Sequence, residues 1–415
     1  MLKEYKELGP FVAWNPLPNS EWDAQSAAHL LRRIGFSATP DKTKEALERG
    51  LSATIDHYFA KPRVMPMPSQ IKFARENTRE MGQRLMQGSP EEQKLARREI
   101  RRKFNEAYRD YALKWVLFAR EDYNAPYEKM VMFLQDVLVV GLPKTRNPYW
   151  LYLHQALLRE NINSNFDTLC KAVSRSPAMI KYLDLQQNRK GHPNENFARE
   201  LFELFILGEG NYTEKDIKEA ARAFTGYKIR NNEFFFNRRQ FDDGSKIVFN
   251  RKGQWNGDDV IDLALDQSAA RTFLPNEFLH FYLSTDVTLE DSYLKSLGNI
   301  WRRNHFNLSS LIKTVFKSRI FFHSQFRGNL IKSPTHFYFG LLQDLNLDVA
   351  PFPTFTLNAL RNMGQPFFAP PNVRGWVGGE NWINASTLAA RRQFIERLCL
   401  LPLKRITSMR TIILL

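Results

Sequence analysis

Helix start and stop signals recur along nearly all of this chain, and that punctuation limits its fold more than any other feature. Ser89, Pro90, Glu91 and Glu92 supply a cap, a first-turn proline and two acids at the positive end of the helix dipole. Thr213, with Asp216 three positions on, resembles a capping box with Asp in place of the usual Glu. Three helices follow one another over 22–60: Gly35 closes the first, Pro40 and Asp41 open the second, and Gly50 separates it from the third. Residues 61–69, with Pro62, Pro66 and Pro68, read as a connector. Further helices are expected over 130–140, 149–159, 166–174 and 194–207, the last stopped by Gly208. More follow from Asp258 to about Asp344, and a final one over 385–400. Only 227–254 has a different texture: Phe234, Phe235 and Phe236, an Asp243–Gly244 turn signal, then Ile247, Val248 and Phe249. The expected fold is therefore mainly α, a multi-helix globular protein with a small β-hairpin insertion near residues 227–254. No internal repeat is present. The chain divides into an N-terminal helical segment and connector (1–69), a main helical domain (70–400) and a tail (401–415).

The 415 residues suffice for a large core, and 32 phenylalanines supply much of the area to fill it. A net charge of +15 favours an anionic partner: nucleic acid, an acidic polysaccharide or a lipid headgroup surface. It also fits a protein that is merely basic, and no nucleic-acid module accompanies it. Cys170 and Cys399 are too few and too far apart for a disulfide framework or a metal knuckle. The most apolar stretch, 130–142, is interrupted by Gln135 and Asp136 and is too short to span a bilayer. The N-terminus lacks the apolar core of a secretory signal, so the expected location is cytoplasmic, or periplasmic if the start is mis-called.

The segment HPNENFARELFELFILGEGNYTEKDIKEAARAFTGY is the most distinctive. At about 100° per residue, Glu195, Asn196, Arg199, Glu200 and Glu203 share one arc of a helix, and the apolar residues take the other. Arg199 lies four residues from both Glu195 and Glu203, the ion-pair spacing. With Asn194 at the helix start and Asp242, Asp243 and Lys246 in the hairpin, these residues form a candidate polar groove. The arc has two readings: a cleft that binds a cation or does acid/base work, or an ordinary solvated face. The basic face of the helix after Ser89, with Arg97, Arg98, Arg101, Arg102 and Lys103, has the same two readings. Near the C-terminus, Trp376, Asn381, Trp382 and Asn384 lie in a Pro/Gly-rich loop that can stack on a sugar or serve as a buried plug.

Three strings occur in order, AAHLLRRIGFSATP, NRKGHPNENFARELFELFILGEGNYTEKDIKEAARAFTGY and PPNVRGWVGGENWINASTLAARRQF. Together they resemble the domain-of-unknown-function 1800 family of bacterial proteins. The resemblance implies a mainly helical fold and brings no established activity. It hints at a companion, an exported sulfatase-like protein, and so at envelope or polysaccharide work. Relatives carry Trp-His-x-His-Phe where this chain has Leu134, Gln135, Asp136, Val137 and Leu138, and His where it has Phe241. Three imidazoles would make a divalent-metal or acid/base site in such relatives. Val137 and Phe241 cannot bind a metal, so no metal and no cofactor are expected here, provided those positions converge at all. His192 is the histidine to watch, because it precedes the polar helix. Relatives run on beyond the point where this chain ends in RITSMRTIILL, an ending that reads as a truncated tail.

The leading expectation is a non-catalytic binding or assembly protein for an anionic polymer, a polysaccharide or a companion protein. The alternative is a hydrolase using Glu195, Glu200, Asp242 or Asp243, with or without a metal. Nucleic-acid binding is a third option.

Overall fold

The computed structural model describes residues 4–72, 75, 83, 87–347 and 353–399. The 401–415 tail and the side chain of Cys399 lie outside the described residues. Helices follow one another in the order the punctuation predicts, and the fold is mainly α with a small β insertion.

The hub is the helix Ala125–Val137. It packs against the helices Ala24–Ile34, Leu51–Phe59, Pro90–Arg120, Pro148–Glu160 and Ala270–Tyr282. A helix surrounded in this way is buried over most of its surface, and even its Glu128, Lys129 and Gln135 are buried. Such charges persist in a core only when something satisfies them. The longest helix, Pro90–Arg120, begins with a full capping box: Glu92 N donates to Ser89 Oγ at 3.3 Å, and Ser89 N donates to Glu92 Oε2 at 2.8 Å. Arg97, Arg98, Arg101 and Arg102 on its first half are exposed, and Tyr111, Trp115 and Val116 on its second half are buried. The N-terminal segment lies against the helices Asp291–Arg303 and Leu308–Lys317, where Trp14 Nε1 donates to Tyr293 O and Leu17 N to Lys317 O. One apolar core runs from Tyr5 to Leu398.

The β insertion differs in detail from the single hairpin expected. Strand Tyr227–Arg230 pairs with Glu233–Phe236, and Lys246–Val248 pairs with Arg251–Gly253, both antiparallel. Each pair closes through two left-handed residues, Asn231 (φ 54°) with Asn232 (φ 66°), and Phe249 (φ 49°) with Asn250 (φ 62°). Such two-residue turns match the twist of a hairpin. Asp243–Gly244 does not close a hairpin, because the neighbouring Asp242 turns inward to Arg222 and to the amide of Gly244. Among the described residues no helix is long and apolar enough to cross a membrane.

Candidate functional site

The C-terminal half of the hub helix opens onto a cavity of about 290 Å³. Its other walls come from the helix Ala270–Tyr282, the start of the helix Pro334–Asp344 and the loop around 365–382. Aromatic rings dominate the lining, among them Phe133, Phe281, Phe367, Trp376 and Trp382.

Asp136 stands at the end of the hub helix and faces this space. Its Oδ1 accepts the backbone N–H of Trp376 at 2.9 Å, a contact across 240 residues of chain. Gly375 (φ +74°) lets the loop approach, since a Cβ there would overlap the Asp136 carboxylate. Burial pushes the Asp136 carboxyl up to about 7, against the pull of the Trp376 N–H and with Glu277 adding to the rise. Glu277, on the opposite wall, is likewise raised by burial, with His280 opposing. Two carboxyls that share a hollow and are both raised by burial can accept from, or donate to, hydroxyl groups.

A second hollow of about 310 Å³ shares Asp136, Val137, Glu277 and Arg374 with the first and adds Glu203 and Glu209. Arg374 closes this side: its Nη2 bonds Glu203 Oε1 at 2.8 Å and also pairs with Glu209. Glu203 Oε2 accepts from the Tyr212 hydroxyl at 2.9 Å. The Glu203–Arg199 pair expected from their spacing does not form. Residues Leu201–Ile206 form a π-helical turn, in which Leu207 N donates to Phe202 O, five residues back. The wider turn breaks the 100° step after Glu200, so Glu203 leaves the arc of Arg199 and reaches the hollow. Arg199 pairs instead with Glu195 at 3.3 Å and with both oxygens of Glu214 at 2.7 and 2.8 Å. Glu200 has its carboxyl raised by burial, with Glu203 adding to the rise.

The other candidate groove residues lie in separate local networks. Asn194 N donates to Asn188 Oδ1, and Asn194 Oδ1 accepts from Asn196 N. Asp242 is clamped by Arg222 at 2.8 and 3.2 Å, which holds its carboxyl below the ordinary range. Asp243 pairs with Lys190 at 2.6 Å on the surface, and Lys246 Nζ donates to the carbonyls of Asp242 and Gly244. His192 is exposed. In the C-terminal loop the tryptophans and asparagines separate in role. Trp376 and Trp382 line the cavity. Asn381 Nδ2 donates to Gly378 O, and Asn384 Oδ1 accepts from Thr387 N in the first turn of the helix Ala385–Cys399.

Gln135 and Val137 both line the cavity, but Phe241 is not among its walls; its ring packs on Phe236 and lies 5.1 Å from Lys246 Nζ. Gln135 also reaches into the core, where its Oε1 accepts from Gln155 Nε2 at 3.0 Å. Among the described residues no group of three or more His, Cys, Asp or Glu is arranged to hold a metal ion. Asp136, Glu277, Lys129 and His336, which face the cavity, are not singled out by sequence pattern. The one available signal was Asp136 itself, a charge inside the most apolar stretch of the chain.

No curated protein and no solved structure matches the chain. A family model described as "Protein of unknown function (DUF1800)" matches residues 29–413, nearly the whole length, and the chain belongs to that family.

Proposed function

We propose that the cavity binds one small hydroxyl-bearing ring of the carbohydrate class, and that the chain acts through this binding. The carrying observation is that Trp376 and Trp382 form walls of the same space that Asp136 and Glu277 face. Aromatic faces cover the C–H surface of a sugar ring, and carboxyl groups bond its hydroxyls. A volume of about 290 Å³ suits one ring rather than a long chain. The test is a titration of the full chain with neutral and acidic monosaccharides, read by tryptophan fluorescence and calorimetry. Binding that weakens at least about tenfold in both Trp376→Ala and Asp136→Asn, roughly 1.4 kcal/mol, is the expected result. Binding indifferent to both changes sinks the reading.

One observation favours a second reading, a hydrolase. The Asp136 carboxyl, at about 7, is poised to exchange a proton at neutral pH, with Glu277 as its partner across the cavity. This reading requires turnover of a glycoside or ester that Asp136→Asn abolishes while ligand binding persists.

A further inference from the structure

The two hollows lie in line. Both carry Asp136, Val137, Glu277 and Arg374 on their walls, so these residues stand at the boundary between the spaces. The helix Ala270–Tyr282 shows the order along them. Its Phe273 lines only the second hollow, Glu277 lines both, and His280 and Phe281 line only the first. The spacing from 273 to 277, 280 and 281 puts these residues on one stripe of the helix. From Phe273 to Phe281 that stripe spans roughly 12 Å. The loop 373–376 repeats the order: Val373 lines the second hollow, Arg374 both, and Trp376 the first. Two segments distant in sequence thus run past the same pair of spaces in step, with Glu277 and Arg374 at the midpoint.

The spaces are alike in size, about 290 and about 310 Å³, and differ in chemistry. Rings dominate the first, whereas the second sets Glu203, Glu209 and Arg374 around Phe273 and Leu204. Arg374 reaches both glutamates through Nη2, and among the described residues its Nε and Nη1 make no hydrogen bond. Donors and acceptors beside a single aromatic ring are the pattern that orients a hydroxyl-bearing group. Two glutamates against one guanidinium leave no positive excess to hold an anion there. Fastening the loop accounts for the Arg374 pairs taken alone. It does not account for the matching order of residues along two separate segments.

We propose that the second hollow is a further binding subsite, and that the ligand is a pair of linked, uncharged sugar rings. One ring lies between the aromatic walls of the first space and the other in the second hollow, with its hydroxyls toward Glu203, Glu209 and Arg374. The inference rests on the ring reading of the first cavity and adds the second ring. It also gives the shared carboxyls a place: Asp136 and Glu277 stand where the oxygen joining the two rings passes from one space to the other.

The experiment is calorimetric titration of the full chain with glucose, cellobiose and maltose. It is repeated on Phe273→Ala and on Glu209→Gln, whose exposed side chain can be changed without emptying the core. At least one of the two-ring sugars is expected to bind about tenfold tighter than glucose. In both variants that ratio falls toward one, while glucose itself binds within about twofold of the natural chain. Glu209→Gln decides alone if Phe273→Ala does not fold. Equal binding of all three sugars to the natural chain overturns the second subsite and leaves the ring reading standing. A two-ring advantage that survives unchanged in the variants also overturns it, because the second ring then lies elsewhere. If none of the sugars binds, the ring reading and this inference fall together.

Discussion

Arg159 and Glu128 meet inside the core as a two-pronged ion pair, with Nε 2.6 Å from Oε1 and Nη2 2.7 Å from Oε2. Trp115 Nε1 gives Glu128 Oε2 a further hydrogen bond at 2.7 Å. Gln155 Oε1 accepts from Arg159 Nη2 at 3.0 Å, and its Nε2 donates to Gln135, a wall of the cavity. A polar chain thus links the centre of the core to the candidate site.

Removing one partner leaves the other charged and unpaired in the interior. Arg159→Met is expected to destabilise the protein by about 3–5 kcal/mol in urea denaturation. Glu128→Leu combined with Arg159→Met is expected to be less damaging than Arg159→Met alone, because no isolated charge remains. A double variant as unstable as the single one would show that packing, not the charge, dominates there.

Asp136 gives a pH dependence of defined sign. Its carboxyl is raised from 3.8 to about 7 in the folded chain, so the native state holds a proton that the unfolded state has released between those values. Stability from this group is therefore fully present below about pH 4 and is lost as pH rises through about 7. The full shift sets a ceiling of about 4 kcal/mol, reduced because the group is partly open to the cavity. Asp136→Asn keeps an acceptor for the Trp376 N–H but cannot titrate. The difference in melting temperature between the two proteins is expected to change across pH 4–7 and level off above. A constant difference over that window would falsify the assignment.

What could be read in advance was whatever depends on residues close in sequence. The Ser89–Glu92 and Thr213–Asp216 boxes and the stops at Gly35, Gly50 and Gly208 are local chemistry, and the helices follow them. The hairpin turns were misplaced because the fate of Asp242 is set by Arg222, twenty residues earlier. The four-residue spacing of Glu195 and Arg199 gives an ion pair, and that of Arg199 and Glu203 does not, since the π-helical turn replaces the assumed step. The cavity was least legible. Asp136 meets an amide 240 residues away, and the facing walls Glu277 and His336 come from two other helices. Arg33, at the end of an amphipathic helix, looks like any surface arginine until Phe326 and Asn329 enclose it.

Asp216 does two jobs, and its removal should exceed the loss of a simple cap. Its Oδ2 accepts from Thr213 N at 2.9 Å and Thr213 Oγ1 at 2.6 Å, and its Oδ1 accepts from Phe249 N at 2.7 Å in the second hairpin turn. Thr213→Ala is expected to cost about 1 kcal/mol. Asp216→Ala is expected to cost about twice that, because the Phe249 amide also loses its partner. Hydrogen exchange at Phe249 separates the two: it should quicken in Asp216→Ala and stay slow in Thr213→Ala.

Gly375 tests whether the close approach of the loop to Asp136 matters for binding. Its φ of +74° disfavours any residue with a Cβ, and the added atom would collide with the Asp136 carboxylate. Gly375→Ala is expected to cost at least about 1–2 kcal/mol from backbone strain alone. The collision adds a second effect: the loop must retreat, the Trp376 N–H must leave Asp136, and the tryptophan wall must move. Sugar binding should then fall at least tenfold, and the emission of Trp376 should shift as its surroundings open. Gly378 is the matched control for stability on the same loop, because its φ is −71° and an added Cβ would come no nearer than 3.5 Å to Thr285 Cγ2. Gly378→Ala should leave stability within about 0.5 kcal/mol of the natural chain. If Gly375→Ala binds sugar as tightly as the natural chain, the contact between loop and Asp136 is not what shapes the cavity.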